Sequence, residues 1–405
     1  MKLSRKLLIL GTVAAAGTAA AVLPMATSNA AAACAPAWSS SAVYVKDNSA
    51  SQNGHNYTAK WWTQNEAPAT HSGQWDVWAD GGVCGGTTPP TTTPPTNPPT
   101  TTPPTNPPTT PPSTGTKMVS APYVYPGWGN PPAPSALAGT GVKAFTIAFV
   151  LAGNGCNPAW DGESGLTGGV HASYIAQARA AGIDIVPSVG GWSGNKLGPN
   201  CSTPEALAGA YQKIIDAFQL KSIDIDIENS DEFENTVVQD RVLNALKIVK
   251  QKNPSVKTIL TFGTSPTGPN YYGTRLVQQA KALNANIDIF TQMPFDFSGG
   301  ADMYGSTVGA TEGLKNLLKT TFGYTDAQAY SHVGISGMNG LSDQQELTSV
   351  ETWTRIRDYA KSKNLSRFTF WAVNRDRGCA GGGVVSNCSG IAQADWAFTR
   401  ISAGF

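Results

Sequence analysis

The stretch Ser222-Ile223-Asp224-Ile225-Asp226-Ile227-Glu228 alternates isoleucine with acid. Successive side chains on a strand point to opposite faces, so this period-two pattern predicts a strand with Asp224, Asp226 and Glu228 on one side and the isoleucines on the other. Stacking carboxylates is unfavourable, because each anion disfavours ionisation of the next. The arrangement suits general acid–base chemistry, in which one carboxyl must stay protonated near the working pH and a neighbour can hold it there. A wet surface strand is the plain alternative. The flanking segments 206–218 and 237–250 have amphipathic helical spacing, however, and a strand between helices belongs to a parallel sheet covered on both faces. The acids are therefore expected to point into a barrel interior or a cleft.

From 118 onward the chain repeats strand and helix. Strands are expected at 119–125, 144–151, 183–189, 223–228, 258–263, 287–297, 333–337 and 367–373, with helices between them such as 171–181 and 345–363. Eight apolar strands alternating with helices predict an α/β fold, a (β/α)8 TIM barrel. An open doubly wound sheet would want a Gly-rich phosphate turn after its first strand, and Pro126-Gly127-Trp128-Gly129 is not one. Active sites of such barrels lie at the C-terminal strand ends. Glu228, Asp296 and Trp371 fall at or near these ends.

The chain has 405 residues and a formal net charge of +1, which gives no sign of nucleic acid as a partner. Residues 1–33 read as a signal peptide: Lys2, Arg5 and Lys6 precede the apolar stretch 7–23, and small residues run through Ala33. The chain is therefore expected to be secreted and extracellular, with no membrane association once the leader is removed. The six cysteines suit an oxidising compartment. The simplest pairing is Cys34–Cys84, Cys156–Cys201 and Cys379–Cys388. Metal ligation is the alternative, without a CxxC or a neighbouring histidine cluster to support it, and no metal or organic cofactor is expected.

Residues 34–84 form a small all-β unit too short to rest on its core alone, so a disulfide joining its ends is expected to help. It carries Trp38, Tyr44, Tyr57, Trp61, Trp62, Trp75 and Trp78, more large rings than such a unit can bury. Some should be exposed for binding, as planar rings stack on the apolar faces of sugars. Residues 85–116 repeat Thr-Thr-Pro-Pro and Thr-Asn-Pro-Pro, a semi-rigid polyproline spacer. It would keep the large domain, 117–405, near whatever the small unit holds.

Ala59-Lys60-Trp61-Trp62-Thr63-Gln64-Asn65-Glu66-Ala67-Pro68 resembles the AKWWTQ-x-E-x-P signature of chitin-binding modules of families 5 and 12. The resemblance implies that Trp61 and Trp62, with Tyr57, contact chitin. The region 119–405 resembles glycoside hydrolase family 18, the chitinases. It carries Ser188-Val189-Gly190-Gly191 (S-x-G-G), most of D-x-x-D-x-D-x-E at Asp224, Asp226 and Glu228, and Met293-Pro294-Phe295-Asp296 (M-x-Y-D). The run from Phe370 through Trp371, Asn374 and Arg375 to Asp376 matches F-W-x-x-N-R-D.

The resemblance implies a retaining, substrate-assisted hydrolysis of chitin and chito-oligosaccharides. Glu228 acts as general acid and base, Asp226 orients the acetamido group, and Asp224 shares a proton with Asp226. Trp371 is the floor under the distorted sugar, Asp296, Met293, Gln292 and Tyr123 contribute to substrate binding, and Ser188 can bond the inner aspartate. Two positions depart from the pattern. Lys221 stands where the first acid of the motif belongs, a position expected deepest in the barrel. Phe295 replaces the tyrosine whose hydroxyl holds the acetamido group, leaving Gln292 or a tyrosine from another strand to supply that contact. The connection 339–366 has room for one helix and no inserted domain, which predicts an open, shallow cleft and endo-type cutting; the chain is expected to be a monomer. A non-catalytic chitin-binding lectin and an endo-β-N-acetylglucosaminidase are the competing expectations.

Overall fold

A computed structural model describes residues 32–85, apart from 41, 46, 61–62, 65 and 73–76, and residues 117–405, apart from 299–301 and 380–382. The expected leader up to residue 31, most of the spacer, and Trp61 and Trp62 lie outside the described residues. The chain divides into two compact units, Met1–Thr105 and Asn106–Phe405.

In the smaller unit, Ser49–Gln52, His55–Ala59 and Trp78–Val83 form an antiparallel sheet, and Val43–Tyr44 pairs with Thr63–Gln64. Asn53 and Gly54 join the first two strands with φ of 53° and 77°. That double left-handed turn fits the twist of a two-residue hairpin, and Asn-Gly is the dipeptide that adopts it most readily. Cys34 is bonded to Cys84 across the ends of the unit. The core is Ala50, Tyr57, Ala59 and Trp78, with Trp38, Tyr44 and Val77 packed against it. Tyr57 therefore departs from its expected role as a sugar-facing ring: its strand turns it inward, and it is only 5% exposed.

The larger unit is an eight-stranded parallel barrel flanked by helices. Its strands are β1 (Tyr123–Val124), β2 (Ala144–Ala152), β3 (Asp184–Gly190), β4 (Ser222–Asp226), β5 (Lys257–Gly263), β6 (Ile289–Met293), β7 (Val333–Met338) and β8 (Arg367–Trp371), paired in sequence order from β1 to β8. All eight expected strands are present. The strand expected at 119–125 shortens to two residues and that at 287–297 to five. Pro158–Trp160 adds an antiparallel strand beside β2. The ring closes between the β1 and β8 segments through one backbone bond, Met118 N to Ser366 O at 2.8 Å, and through side chains: Ser120 Oγ donates to Phe368 O at 2.6 Å, and Thr369 Oγ1 to Ala121 O at 2.6 Å.

The outer helices are α1 (Gly169–Ala180), α2 (Pro204–Phe218), α3 (Thr236–Lys252), α4 (Tyr271–Ala282), α5 (Met303–Phe322), α6 (Val350–Ser362) and α7 (Ala397–Ala403). Five begin at a side-chain cap that satisfies an otherwise unpaired N–H: Thr203, Asn235, Asn270, Asp302 and Ser349 for α2 to α6. The helix expected at 345–363 starts later, because Leu347–Thr348 first pairs with Gly340–Leu341. Cys156 is bonded to Cys201 and Cys379 to Cys388, as expected from the spacing.

Inward side chains stack in layers, as the strand tilt of such a barrel requires. The bottom layer is apolar, with Ala121, Ala144, Val186, Ile259 and Ile289. The layer above is polar and is built around Arg367, which is fully buried. Its guanidinium donates to Asp224 Oδ1 (3.0 Å), Thr261 Oγ1 (2.8 Å) and Thr291 Oγ1 (3.2 Å) from one nitrogen, and to Thr146 Oγ1 (3.2 Å) from the other. Deleting one partner of a buried ion pair strands the other and typically costs about 3–5 kcal/mol. Arg367→Met is expected to lower barrel stability by about that amount in urea unfolding of the full chain. Asp224→Asn in the same background should recover part of the loss, a non-additivity that a double-mutant cycle measures.

Candidate active site

Asp224 sits at the centre of the polar layer. Tyr123 Oη and Ser188 Oγ donate to its Oδ2 at 2.7 and 2.8 Å, while Thr261 Oγ1 and Arg367 donate to Oδ1 at 2.6 and 3.0 Å. Both oxygens are filled, so a proton shared with Asp226 would have to displace one of these donors. That differs from the sharing the motif implied, and the cause is Arg367. The departure at Lys221 also resolves differently from expectation. Lys221 precedes β4 at the barrel's outer edge, 83% exposed, and binds Asp184 Oδ2 at 2.7 Å. It lies outside the interior, so it does not reach the aspartates.

One layer up, Asp226 is buried and its Oδ1 has no hydrogen-bond partner among the described residues. Burial raises its pKa well above the usual carboxylate range, the charges of Glu228 and Asp224 raise it further, and Arg367 and Lys196 oppose them. Glu228 lies two residues past the end of β4 and is half-buried. Its pKa is pushed up to about 7, chiefly by burial; Lys196 pulls it down and Asp296 pushes it up. The site therefore holds a carboxyl that exchanges its proton near neutrality beside a buried carboxyl with a bare oxygen.

The two glycines of S-x-G-G make room for this strand end. Gly190 has φ of 111°, and a Cβ there would lie 2.1 Å from Asp226 O. At Gly191 a Cβ would meet the Phe149 ring at 2.8 Å, and its N–H donates to Asp226 O at 2.9 Å. No other residue type fits either place.

Trp371, at the end of β8, is partly exposed and stacks on Phe149 with centroids 5.5 Å apart and planes at 15°. Tyr123 meets Trp371 edge-on at 5.8 Å, and Tyr125 lies 6.3 Å from it. The result is an aromatic wall beside the acids. Asn339 secures its backbone, accepting from Ala372 N (3.0 Å) and donating its own N–H to Trp371 O (3.1 Å).

The rest of F-W-x-x-N-R-D is scaffolding. Asn374 bonds Tyr125 N and O at 2.9 Å each and Trp128 O at 2.7 Å, locking β8 to β1. Arg375 donates to Val385 O and Leu341 O. Asp376 accepts from the N–H groups of Phe398 and Thr399 and from Thr399 Oγ1, fixing α7.

Around β6, Met293 points inward at the top layer with the acids. Gln292 is turned the other way: the strand alternation sends it to the helix layer, where its Nε2 approaches Thr311 Oγ1 on α5 at 3.4 Å. It is not available to replace the missing tyrosine hydroxyl. Asp296 has φ of 59° and is held in a turn, its N–H donating to Glu346 and its Oδ1 accepting from Gln344 N at 3.2 Å. Burial raises its pKa.

Tyr125, Phe149, Lys196, Glu232, Asn339 and Arg367 escaped sequence reasoning. Arg367 carried one signal, a cation opening an otherwise apolar strand. Lys196 and Glu232 carried none, since both read as ordinary loop charges.

No family model matches this chain. It is 26% identical over 360 residues to a probable bifunctional chitinase/lysozyme of Escherichia coli K12, covering 84% of this chain and 38% of the relative. It is likewise 26% identical over 361 residues to Endochitinase 11 of Metarhizium anisopliae, covering 84% of this chain and 64% of the relative. The chain thus spans less than two thirds of the length of these relatives. Among solved structures, the catalytic domain of a hyperthermophilic chitinase from Pyrococcus furiosus superimposes with a TM-score of 0.65 at 25% identity, covering 72% of this chain and 96% of that one. These two relatives, each matched over 84% of this chain, and this structural neighbour carry the chitinase name, and the fold shared with the neighbour is the parallel barrel whose strand ends bear Asp226, Glu228 and Trp371.

Proposed function

We propose that this chain is a secreted endochitinase that hydrolyses β-1,4-N-acetylglucosamine linkages with retention, through the acetamido group of its own substrate. The observation that carries the reading is Glu228 at the mouth of β4, poised near neutrality, beside the bare Oδ1 of Asp226. Glu228 gives its proton to the glycosidic oxygen. The acetamido oxygen of the sugar on the non-reducing side attacks the anomeric carbon, forming an oxazolinium. The resulting Glu228 carboxylate then takes a proton from the water that opens this ring. Asp226 Oδ1 accepts the acetamido N–H and keeps its carbonyl oxygen aimed at the reacting carbon, which is where proximity supplies much of the rate. The acidic surroundings favour the positive charge that develops there. Trp371 offers its exposed face to the sugar ring.

Three disulfides suit an oxidising, extracellular setting. The small unit is proposed to hold chitin through Trp61 and Trp62, without Tyr57. The connection from β7 to β8 contains only a short hairpin and α6, which supports an open cleft and internal cutting by a monomer.

Glu228→Gln should lose at least about 10²-fold of reducing-end release from colloidal chitin, the low end of the general acid–base contribution, while chitin pull-down is retained. Binding without cleavage by both proteins would instead identify a carbohydrate-binding lectin. Because the acid must be protonated to donate, wild-type kcat should fall as pH rises through about 7. A pH–rate profile flat across that region would remove Glu228 from the role. On a soluble chitin derivative, viscosity should drop before much dimer accumulates, and early products that are almost wholly dimer would overturn the endo assignment.

A further inference from the structure

On the β1–β8 side of the barrel mouth, across the ring from β4, lies a small recess that the reaction above does not use. The rings of Tyr125, Trp128 and Trp371 line it, with the polar side chains of Arg375 and Ser386. It has room for about one water-sized atom, enough for a single ligand oxygen and too little for a sugar ring. Trp128 is 59% exposed, so a bare indole borders the opening.

Arg375 is the unusual group here. It is 2% exposed. Its Nε donates to Val385 O at 3.0 Å and its Nη2 to Leu341 O at 2.6 Å, both neutral carbonyls. Its Nη1 has no partner among the described residues. Burial lowers its pKa to about 10 against the pull of Asp343 and Asp296, so it is a cation at neutral pH. Neither of these acids bonds to it. A buried cation is tolerated where an anion pairs with it. Arg367, as deeply buried, has Asp224 at 3.0 Å. Arg375 braces two loops with two of its nitrogens and leaves the third, with its charge unmatched, for the recess.

The walls are fixed in advance. Asn374 Nδ2 holds Trp128 O at 2.7 Å. Gly129, with φ of 69°, brings the backbone against the loop after β8: a Cβ there would sit 2.7 Å from Ser386 O. That loop is closed by Cys379–Cys388 and tied to the 340–348 hairpin by Leu341 N donating to Ser389 O at 2.8 Å. A recess held from both sides costs little to order on binding.

Position and charge together define the ligand. In the proposed reaction, the sugar over Trp371 turns the bond to be cut toward Glu228, beyond β4. Its neighbour on the non-reducing side therefore runs the other way, toward Tyr125 and Trp128. A hydroxyl of that neighbour would fill the Nη1 donor and leave the charge unmatched. A carboxylate does both, through a charge-assisted bond.

We propose that the recess is a subsite for an acid-bearing sugar: Arg375 Nη1 donates to a carboxylate oxygen on the sugar that adjoins, on the non-reducing side, the one over Trp371. The chain then accepts polymers in which N-acetylglucosamine alternates with an acidic sugar, as well as uniform ones. A 3-O-lactyl ether and a C6 uronic acid offer the same carboxylate from different ring positions.

The direction along the sugar chain rests on the proposed reaction, and the test keeps the two ideas apart. Full-length Glu228→Gln is titrated calorimetrically with three β-1,4 disaccharides ending in N-acetylglucosamine. Their non-reducing sugar is N-acetylglucosamine, its 3-O-lactyl ether or glucuronic acid. One or both acidic sugars should bind at least about tenfold more tightly than the neutral one, the low end for a hydrogen bond to a charged group. A gain with one alone tells which ring position carries the acid. Equal affinity for all three overturns the subsite, as does a gain that survives Arg375→Gln in the same background. If that variant does not fold, Ser386→Phe decides, because it fills the recess and leaves the guanidinium: a gain that persists there overturns the proposal. With wild type, kcat/KM on fluorogenic glycosides of the same disaccharides should follow the same ranking. Tighter binding of an acidic sugar by a protein that releases fluorophore from none of them would sink the hydrolase reading and leave the subsite standing.

Discussion

The buried pair of Arg367 and Asp224 is the interaction on which the site depends. A barrel that carries acids on successive inward positions of one strand must compensate them in a medium that screens poorly. Arg367 does so from the opposite side of the ring, and hydroxyls from β2, β5 and β6 accept from its guanidinium, and that of β5 donates in turn to Asp224. With Asp224 saturated, the unpaired carboxyl oxygen lies one layer up, on Asp226 beside Glu228. The polar layer is thus a foundation, and the chemistry proposed above lies one layer over it.

Much of this was legible in the chain because it is local. The Ile/acid alternation of 223–228 gave both the strand and the facing of its carboxylates, since a two-residue period leaves no other choice. The eight strands read from apolar runs, and the helices that flank the fourth from their amphipathic spacing. What could not be read was long-range. Arg367 meets Asp224 across 143 residues of sequence, and no pattern around either residue announces the other. Lys221 misled for a related reason: the motif supplied its register but not where the strand begins relative to the barrel wall. Gln292 misled by parity alone, since one step along β6 separates the core face from the helix face. Tyr57 was carried along with the signature tryptophans, whereas strand alternation turns its ring inward.

The eighth-strand motif illustrates how a signature can hold more architecture than chemistry. Only Trp371 faces the cleft. Asn374 ties the barrel seam, Arg375 braces the loops near Leu341 and Val385, and Asp376 anchors the last helix. Their joint effect is to set the height and tilt of one indole against Phe149 and Tyr123. The sugar-stacking role proposed for that indole would gain from its being rigid before a ligand arrives, because ordering it afterwards would subtract from binding.

The side-chain closure between β1 and β8 has a mechanical meaning. Elsewhere around the ring the strands are welded by backbone ladders that resist sliding. At this one join a single backbone bond, Met118 N to Ser366 O, is supplemented by the hydroxyls of Ser120 and Thr369. The lacing runs directly beneath Tyr123, Tyr125 and Trp371. The barrel is therefore closed here by a handful of individual bonds rather than by a ladder, so Asn374 and these hydroxyls, more than strand pairing, fix how far β8 stands from β1.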